Sequence, residues 1–389
     1  MDANEIKALD QEYILGTYGR NPIVLEKGSN ATCWDAEGKK YIDMTAGIGV
    51  NSLGFSDYGW AEAVAAQALS LQHISNLYYT EPCVRLAEQL VKRTGLSRVF
   101  FGNSGAEANE GAMKCARKYS VLKYGEGRSK IVTLVNSFHG RTLSTVTATG
   151  QDVFHKWFGP FPEGHAYAEA GNLDDVKAKA EGACAVMMEL VQGEGGVMAL
   201  DPQFVKDVET FCKENDILLI IDEVQTGIGR TGSLFCFQQF GIQPDIVTVA
   251  KGLGGGLPIG AFIVGEKCKD AMTAGDHGST FGGNPVACAG ANYVLSCMTD
   301  KLFDSVKKKG ALIREALLQI PEVAGVSGMG LMIGIELKTK KAADIVAACR
   351  EQGLLVLTAK TRVRLLPPLT ISDEELQEGL AILLDVLKN

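Results

Sequence analysis

Two charged side chains stand at the ends of apolar runs, where a buried strand has no use for them. Ile246–Ala250 is apolar or β-branched throughout, and Lys251 follows at once, with glycines behind it up to Gly256. Burying an ammonium is costly. Such a lysine either marks the strand's exit to the surface or serves as a partly desolvated amine able to form an imine, and taken alone the segment allows both. Upstream, Ile217–Ile221 ends in the same way, in Asp222. Adjacent parallel strands bring Asp222 and Lys251 together at the carboxyl edge of a sheet, the edge at which open α/β folds bind ligands.

Three further stretches repeat the pattern. Gly102-Asn-Ser-Gly105-Ala106-Glu107-Ala108 follows an apolar run and opens a helix. Its small residues let backbone N–H groups approach an anion at a helix N-terminus, although it is neither a GxGxxG nor a Walker loop. Lys130–Val135 leads to Phe138, His139 and Arg141. Phe138 and His139 offer a flat surface for a ring, and Arg141 can grip a carboxylate with its fork. Taken singly, Phe138 reads as a core aromatic and Arg141 as half of a surface ion pair. Ala183–Glu189 leads to Glu194. An acid able to face a ring nitrogen, an amine able to form an imine, a phosphate-sized cup and an aromatic lid together point to pyridoxal 5'-phosphate. On that reading Asp222 keeps the pyridine nitrogen protonated, and Lys251 holds the cofactor and then shuttles the substrate proton.

The elements that must position these groups alternate in type. Strands are predicted at 98–101, 130–135, 183–189, 217–222, 246–250 and 261–264, with helices at about 105–122 and 202–214, the latter capped by Asp201 with Pro202 behind it. Such alternation predicts a doubly wound, mostly parallel sheet. Beyond it, helices at about 284–298 and 302–319 lead to strands near 323–337 and 354–366 and helices at 341–352 and 373–388, with Ser372 and Glu375 as a capping box. The expected division is an arm and part of a small domain over 1–48, a large domain over 49–284 and a smaller α+β domain over 285–389. The chain of 389 residues has 46% hydrophobic and 22% charged residues, an ordinary globular balance, and its net charge of −8 argues against a nucleic-acid partner. Ten scattered cysteines without a CxxC pair predict reduced thiols rather than a disulfide framework or a metal site. With no apolar run of membrane-spanning length and no apolar leader, a cytoplasmic protein without a membrane partner is expected.

Taken together, Gly102–Ala108, Phe138-His-Gly-Arg-Thr142, Gln192-Gly-Glu194-Gly-Gly, Asp222-Glu-Val-Gln-Thr-Gly-x-Gly-Arg230, Lys251-Gly-Leu-Gly-Gly-Gly-x-Pro258 and Gly278-Ser-Thr-Phe-Gly-Gly-Asn284 resemble the class III aminotransferases over nearly the whole chain. Within that class the sequence is most similar to the acetylornithine enzymes. The resemblance implies a fold-type I enzyme, with a mostly parallel seven-stranded sheet in its large domain, acting as a homodimer with shared active sites. It implies that Gly105 and Ala106 bind phosphate, Phe138 stacks on the ring, and the run Asp222, Glu223, Val224 and Gln225 lies along the cofactor. Thr280 matches a phosphate ligand given to the neighbouring subunit, and Ser279 and Tyr18 match substrate contacts. Arg141 and Arg364 match carboxylate anchors, and Glu194 matches a gate that pairs with Arg364 until glutamate displaces it. Arg362 lies two residues earlier and shares the strand face, so both arginines stay open as the anchor. About Gly47 the ornithine enzymes carry a tyrosine, and a small residue leaves room for an acyl group. The family's Gly-His-x-His-Pro is replaced by Gly54-Phe55-Ser-Asp-Tyr-Gly59, read as a change of local packing.

The activity implied is transfer of the ω-amino group of N2-acetyl-L-ornithine to 2-oxoglutarate, with ornithine, succinylornithine and 4-aminobutyrate as rival donors. A nicotinamide-dependent oxidoreductase is the alternative from another class. Against it, the glycines at 252–256 follow a lysine, and no GxGxxG is present. A ligand-sensing relative without activity is a third possibility, but there Lys251 or Asp222 would be expected to have decayed.

Overall fold

A single sheet carries most of the charged strand ends. The computed structural model describes residues 1–389. In chain order the strands are β1 (Arg98–Gly102), β2 (Lys130–Leu134), β3 (His165–Ala168), β4 (Ala183–Met188), β5 (Leu218–Asp222), β6 (Ile246–Val249) and β7 (Gly260–Val264). In space they run β1-β7-β6-β5-β4-β2-β3, all parallel except β7, which is antiparallel to both β6 and β1. This is the seven-stranded, mostly parallel sheet that the family resemblance implies. Strands β4, β5 and β6 are buried at every position, as expected of parallel strands covered on both faces. Alternate residues feed two cores: Val186, Met188, Leu219 and Ile221 face the larger, and Ala185, Met187, Leu218 and Ile220 the smaller.

The six expected strands form within a residue or two of their predicted bounds; Val135, Glu189 and Ala250 fall just past their ends. Strand β3 was not foreseen. His165-Ala-Tyr-Ala at the sheet edge is only half-buried and lacks the apolar run that marks the others. Helix Pro202–Glu214 forms as read, with Asp201 accepting from the N–H groups of Gln203 and Phe204. Its Phe204, Val205, Val208 and Cys212 are buried at helical spacing.

The remaining strands make two four-stranded sheets and the short antiparallel pair Val191–Gln192 and Met198–Ala199. Leu25–Ser29, Thr32–Asp35 and Lys40–Asp43 form a meander that Leu354–Leu355 extends in parallel. Val323–Met329, Met332–Leu337, Arg362–Leu365 and Leu357–Ala359 form an antiparallel sheet. Glu375 joins the chain's two ends. It closes the capping box of helix Asp373–Lys388 with Ser372, and it also accepts from the Ala31 N–H, the Thr32 hydroxyl and the Asn30 amide. Helix Pro285–Cys297 lies against helices Tyr58–Ser70 and Glu81–Thr94, with Gln89 donating to Asn292 at 2.7 Å. In the Gly54–Gly59 stretch, Phe55 covers Gly28, where a Cβ would meet the Phe55 ring at 2.5 Å. Asp57 there caps helix Tyr58–Ser70. All ten cysteines are free. No helix is long and apolar enough to cross a membrane.

Candidate active site

Strands β5 and β6 bring the first two residues together. Their register pairs Asp222 with Thr248, so Asp222 and the Lys251 turn leave the sheet at the same edge. Both line one cavity of about 340 Å³. Lys251 has φ +42°, a left-handed backbone that costs a residue with a Cβ about 1–2 kcal/mol. Such strain collects where geometry serves function. The Lys251 amine has no hydrogen-bond partner, and burial draws its pKa down while Glu194 and Asp222 pull the other way. An amine held this way is neutral more readily than one in water, as nucleophilic chemistry needs.

Asp222 is held on both oxygens. Its Oδ2 accepts from Asn109 Nδ2 and pairs with His139 Nδ1, each at 2.8 Å, and its Oδ1 accepts from the Val224 N–H at 2.9 Å. His139 therefore lines the cavity beside Phe138, as the sequence indicates, and also braces the carboxylate. These contacts fix the carboxylate in place at the cavity wall, where a ring nitrogen can face it.

Residues after β1 supply the cup. Ser104 caps helix Gly105–Tyr124 through the Glu107 N–H, leaving the amides of Gly105 and Ala106 at the cavity wall. A Cβ on Gly105 would lie 2.7 Å from Val224 Cγ1, so glycine is needed for the turn to sit this close. Val224 and Gln225 line the same wall, and Gln225 Oε1 is buried without a partner. Glu223 does not line it. The backbone turns its side chain to the opposite side, where it accepts from the Thr226 hydroxyl and the Phe237 N–H, and burial raises its pKa to about 7. The free amine, the braced acid, the helix-end amides and the unpartnered amide oxygen fit pyridoxal 5'-phosphate.

Phe138 lines the cavity and meets Phe154 edge to face, centroids 5.5 Å apart at 76°. The Arg141 guanidinium lies 4.0 Å from the Phe154 ring centre and 5.6 Å from that of Phe138. Arg141 is exposed and stacked in this way is disposed toward an incoming carboxylate. Glu194 lines the cavity and takes a 2.7 Å bond from Arg364 Nη1, while Arg364 Nε is buried and unpartnered. Arg362 is engaged elsewhere, with Glu336 at 2.6 Å and Ser327 at 2.7 Å, so of the two arginines it is Arg364 that meets Glu194.

Like Glu223, five further expected residues stand off the cavity wall of their own chain: Arg141, Arg364, Tyr18, Ser279 and Thr280. Tyr18 is exposed beside Arg20, and Thr280 is exposed on its loop. Ser279 is one bond away, its Oγ accepting from Asn103 Nδ2 at 3.1 Å. Gly47 is exposed at φ +61° and also outside the wall. Asn109, Glu189 and Phe154 were not singled out from the sequence. Asn109 lies one helical turn after Gly105 and so on the same face, and Glu189 ends an apolar run as Asp222 does; those were the available signals. Phe154 sits in a short 3₁₀ turn with no pattern of its own.

This fold, with a lysine and an acid meeting at the sheet edge beside a helix-end anion cup, defines a pyridoxal-phosphate enzyme of fold-type I. Residues 16–387 match the family model "Aminotransferase class-III", and the chain belongs to that family. The acetylornithine aminotransferase of Haemophilus ducreyi is 54% identical over 390 residues, covering 100% of this chain and 99% of that protein. The crystal structure of N-acetylornithine aminotransferase from Stenotrophomonas maltophilia is 36% identical with TM-score 0.85, covering 97% of each chain. An ornithine aminotransferase structure from Toxoplasma gondii, with partial occupancy of PLP at its active site, is 31% identical with TM-score 0.94 and covers 99% of this chain and 94% of that one. The cofactor is pyridoxal 5'-phosphate.

Proposed function

We propose that this chain transfers the ω-amino group of N2-acetyl-L-ornithine to 2-oxoglutarate, giving N-acetyl-L-glutamate 5-semialdehyde and L-glutamate, as a cytoplasmic homodimer serving arginine biosynthesis. The observation that carries the reading is the Arg364–Glu194 pair beside the Lys251 cavity. An acceptor with two carboxylates needs a second anchor, and that anchor must be neutralised while an ω-amine donor occupies the site. Similarity to the acetylornithine enzymes, at 54% identity, favours the acylated donor.

Bound pyridoxal 5'-phosphate supplies a carbonyl to carry the amino group and an electron sink for the reacting carbon. The rest falls to the chain. The amides of Gly105 and Ala106 would hold the phosphate at the helix end. Phe138, Val224 and Gln225, which line the cavity, would be the residues that enclose the ring. Asp222, fixed by His139, Asn109 and the Val224 N–H, would be the acid that holds a proton on the ring nitrogen. With the cofactor bound, Lys251 Nζ would be the group that holds it through its carbonyl carbon and, once the donor amine has released it, the base that takes and returns the donor's reacting proton. Arg141 takes the donor's distal carboxylate. In the return half, the second carboxylate of 2-oxoglutarate would displace Glu194 from Arg364.

Support for the dimer comes from the surface. Leu77, Tyr79 and Phe281 are between 61% and 99% exposed, an apolar set beside Thr280 that suits a subunit contact. The proposal places Thr280 at the neighbour's phosphate and brings Tyr18 and Ser279 to substrate in the assembled dimer. It extends the large domain through Cys297, because helix Pro285–Cys297 lies against large-domain helices, beyond the boundary at 284 expected from the sequence. The test is glutamate-forming turnover of the purified, cofactor-loaded protein with N-acetylornithine, N-succinylornithine, ornithine and 4-aminobutyrate. Acetylornithine is expected to give the highest kcat/KM, and preference for free ornithine overturns the donor assignment.

A further inference from the structure

The steps above leave one buried acid on the cavity wall without a task. Glu189, one residue past β4, is 6% exposed and lines the cavity with Lys251 and Asp222. Its side chain forms no ion pair. Instead Oε2 accepts from the Phe138 N–H at 2.9 Å and Oε1 from the Gly193 N–H at 3.3 Å. Those amides belong to two separate loops. One carries Phe138 and, three residues on, Arg141; the other is the turn that leads directly into Glu194. A lone carboxylate thus spans the ring-facing loop and the gate turn with one oxygen for each.

Neighbouring contacts limit how else the gate turn can be placed. A Cβ on Gly193 would lie 2.4 Å from Gln225 Oε1, so the turn already sits against the wall that holds Gln225. Gln192 Nε2 donates to the Val135 carbonyl at 2.9 Å, at the root of the Phe138 loop. Glu189 and Gln192 therefore tie the same two loops at successive points, and only Glu189 does so facing the cavity. Burial together with the nearby Asp222 charge makes ionisation of Glu189 costly, opposed by His139 and the two amides. A side chain kept there against that cost, with both amides satisfied, has the character of a brace and not of a filler.

We propose that Glu189 is a positioning residue: by accepting from Phe138 and Gly193 at once it fixes the gate carboxylate of Glu194 relative to the ring-stacking aromatic, and so sets the discrimination between glutamate and the ω-amine donor. This rests on the gate reading of Glu194. Glutamine is nearly isosteric, but its amide accepts at one end only and presents a donor to the other N–H, so Glu189→Gln cannot keep both bonds.

Two measurements separate the ideas. In the cofactor-free protein, amide hydrogen exchange of the Phe138 and Gly193 N–H groups reads the brace directly; Glu189→Gln is expected to speed at least one of them tenfold or more. In the loaded enzyme, the ratio of kcat/KM for glutamate to that for N-acetylornithine is expected to shift at least fivefold in Glu189→Gln. In a Glu194→Ala background the same change is expected to add no further shift. Wild-type exchange at both amides, or a ratio shift that simply adds to that of Glu194→Ala, overturns the proposal. If Glu194→Ala alone leaves the ratio at its wild-type value, the gate reading fails, while the exchange result still decides whether Glu189 braces the loops. Should Glu189→Gln not fold, Glu189→Asp keeps the charge one methylene shorter and reaches one amide only, and unchanged exchange at both sites in that variant also refutes the brace.

Discussion

Removing the gate carboxylate gives the sharpest quantitative expectation. Arg364 is 3% exposed, and Glu194 meets its Nη1 at 2.7 Å. Any dicarboxylate that uses Arg364 must first displace that partner. A hydrogen bond to a charged group contributes about 1.5–3 kcal/mol, and in Glu194→Ala a dicarboxylate no longer competes with it. Binding of glutarate, an unreactive mimic of 2-oxoglutarate, is therefore expected to tighten roughly 10- to 150-fold, read as its competitive inhibition constant. The ligand-free variant carries the opposite penalty. An unpaired buried cation costs about 3–5 kcal/mol; because the Glu194 side chain is 29% exposed, water reaches that end of the pair and the loss is expected nearer 2 kcal/mol. The melting temperature should drop in buffer and recover with glutarate. An inhibition constant within threefold of wild type, or a weaker one, refutes the idea that Glu194 and the ligand compete for one guanidinium.

Three more changes follow from the same geometry. Lys251→Ala is expected to abolish turnover while leaving far-UV circular dichroism unchanged, since the amine makes no hydrogen bond that the fold needs; retained activity refutes its role. Asn109→Ala removes one of the two donors to Asp222 Oδ2, and a lost bond to a charged acceptor of about 1.5–3 kcal/mol predicts cofactor binding weaker by roughly 10- to 150-fold, measured by absorbance titration of the cofactor-free protein. Glu223, raised by burial from 4.5 to about 7, keeps a proton in the fold that the unfolded chain releases at lower pH. Its stabilising effect is complete below about 4.5 and is lost as pH rises through about 7, corresponding to about 3 kcal/mol. Glu223→Gln should flatten that part of the stability–pH profile in urea melts, and an unchanged slope between pH 5 and 8 counts against it.

What was legible in the sequence was whatever breaks a local rule. A lysine or aspartate ending a run buried at every position, as in β5 and β6, contradicts the run itself, and it is the recurrence of that signal at both Asp222 and Lys251 that makes it legible. Helix ends were equally plain, because Asp201-Pro202 and Ser372 with Glu375 meet backbone donors within three residues. Strand β3 escaped because a half-buried edge strand needs no apolar run, and the pull of Glu223 away from the cavity depends on a backbone turn that charge and spacing do not report.

The side chains that support the site were hidden for a different reason. Asn109, His139 and Asp222 converge from a helix, a loop and a strand separated by 30 and 83 residues, and nothing local distinguishes a buried asparagine that holds an acid from one that caps a turn. His139 shows the consequence. Its place at a strand end marks it for the cavity wall, where it lies, but its bond to Asp222 is supplied by the fold alone. The same logic applies to Arg362 and Arg364, which share a strand face and a residue type. Glu336 and Ser327 occupy the first and Glu194 the second, so the choice between them lies in what approaches from other elements. Residues that act on substrate can be read from chemistry out of place; residues that hold them become visible only when the fold supplies their partners.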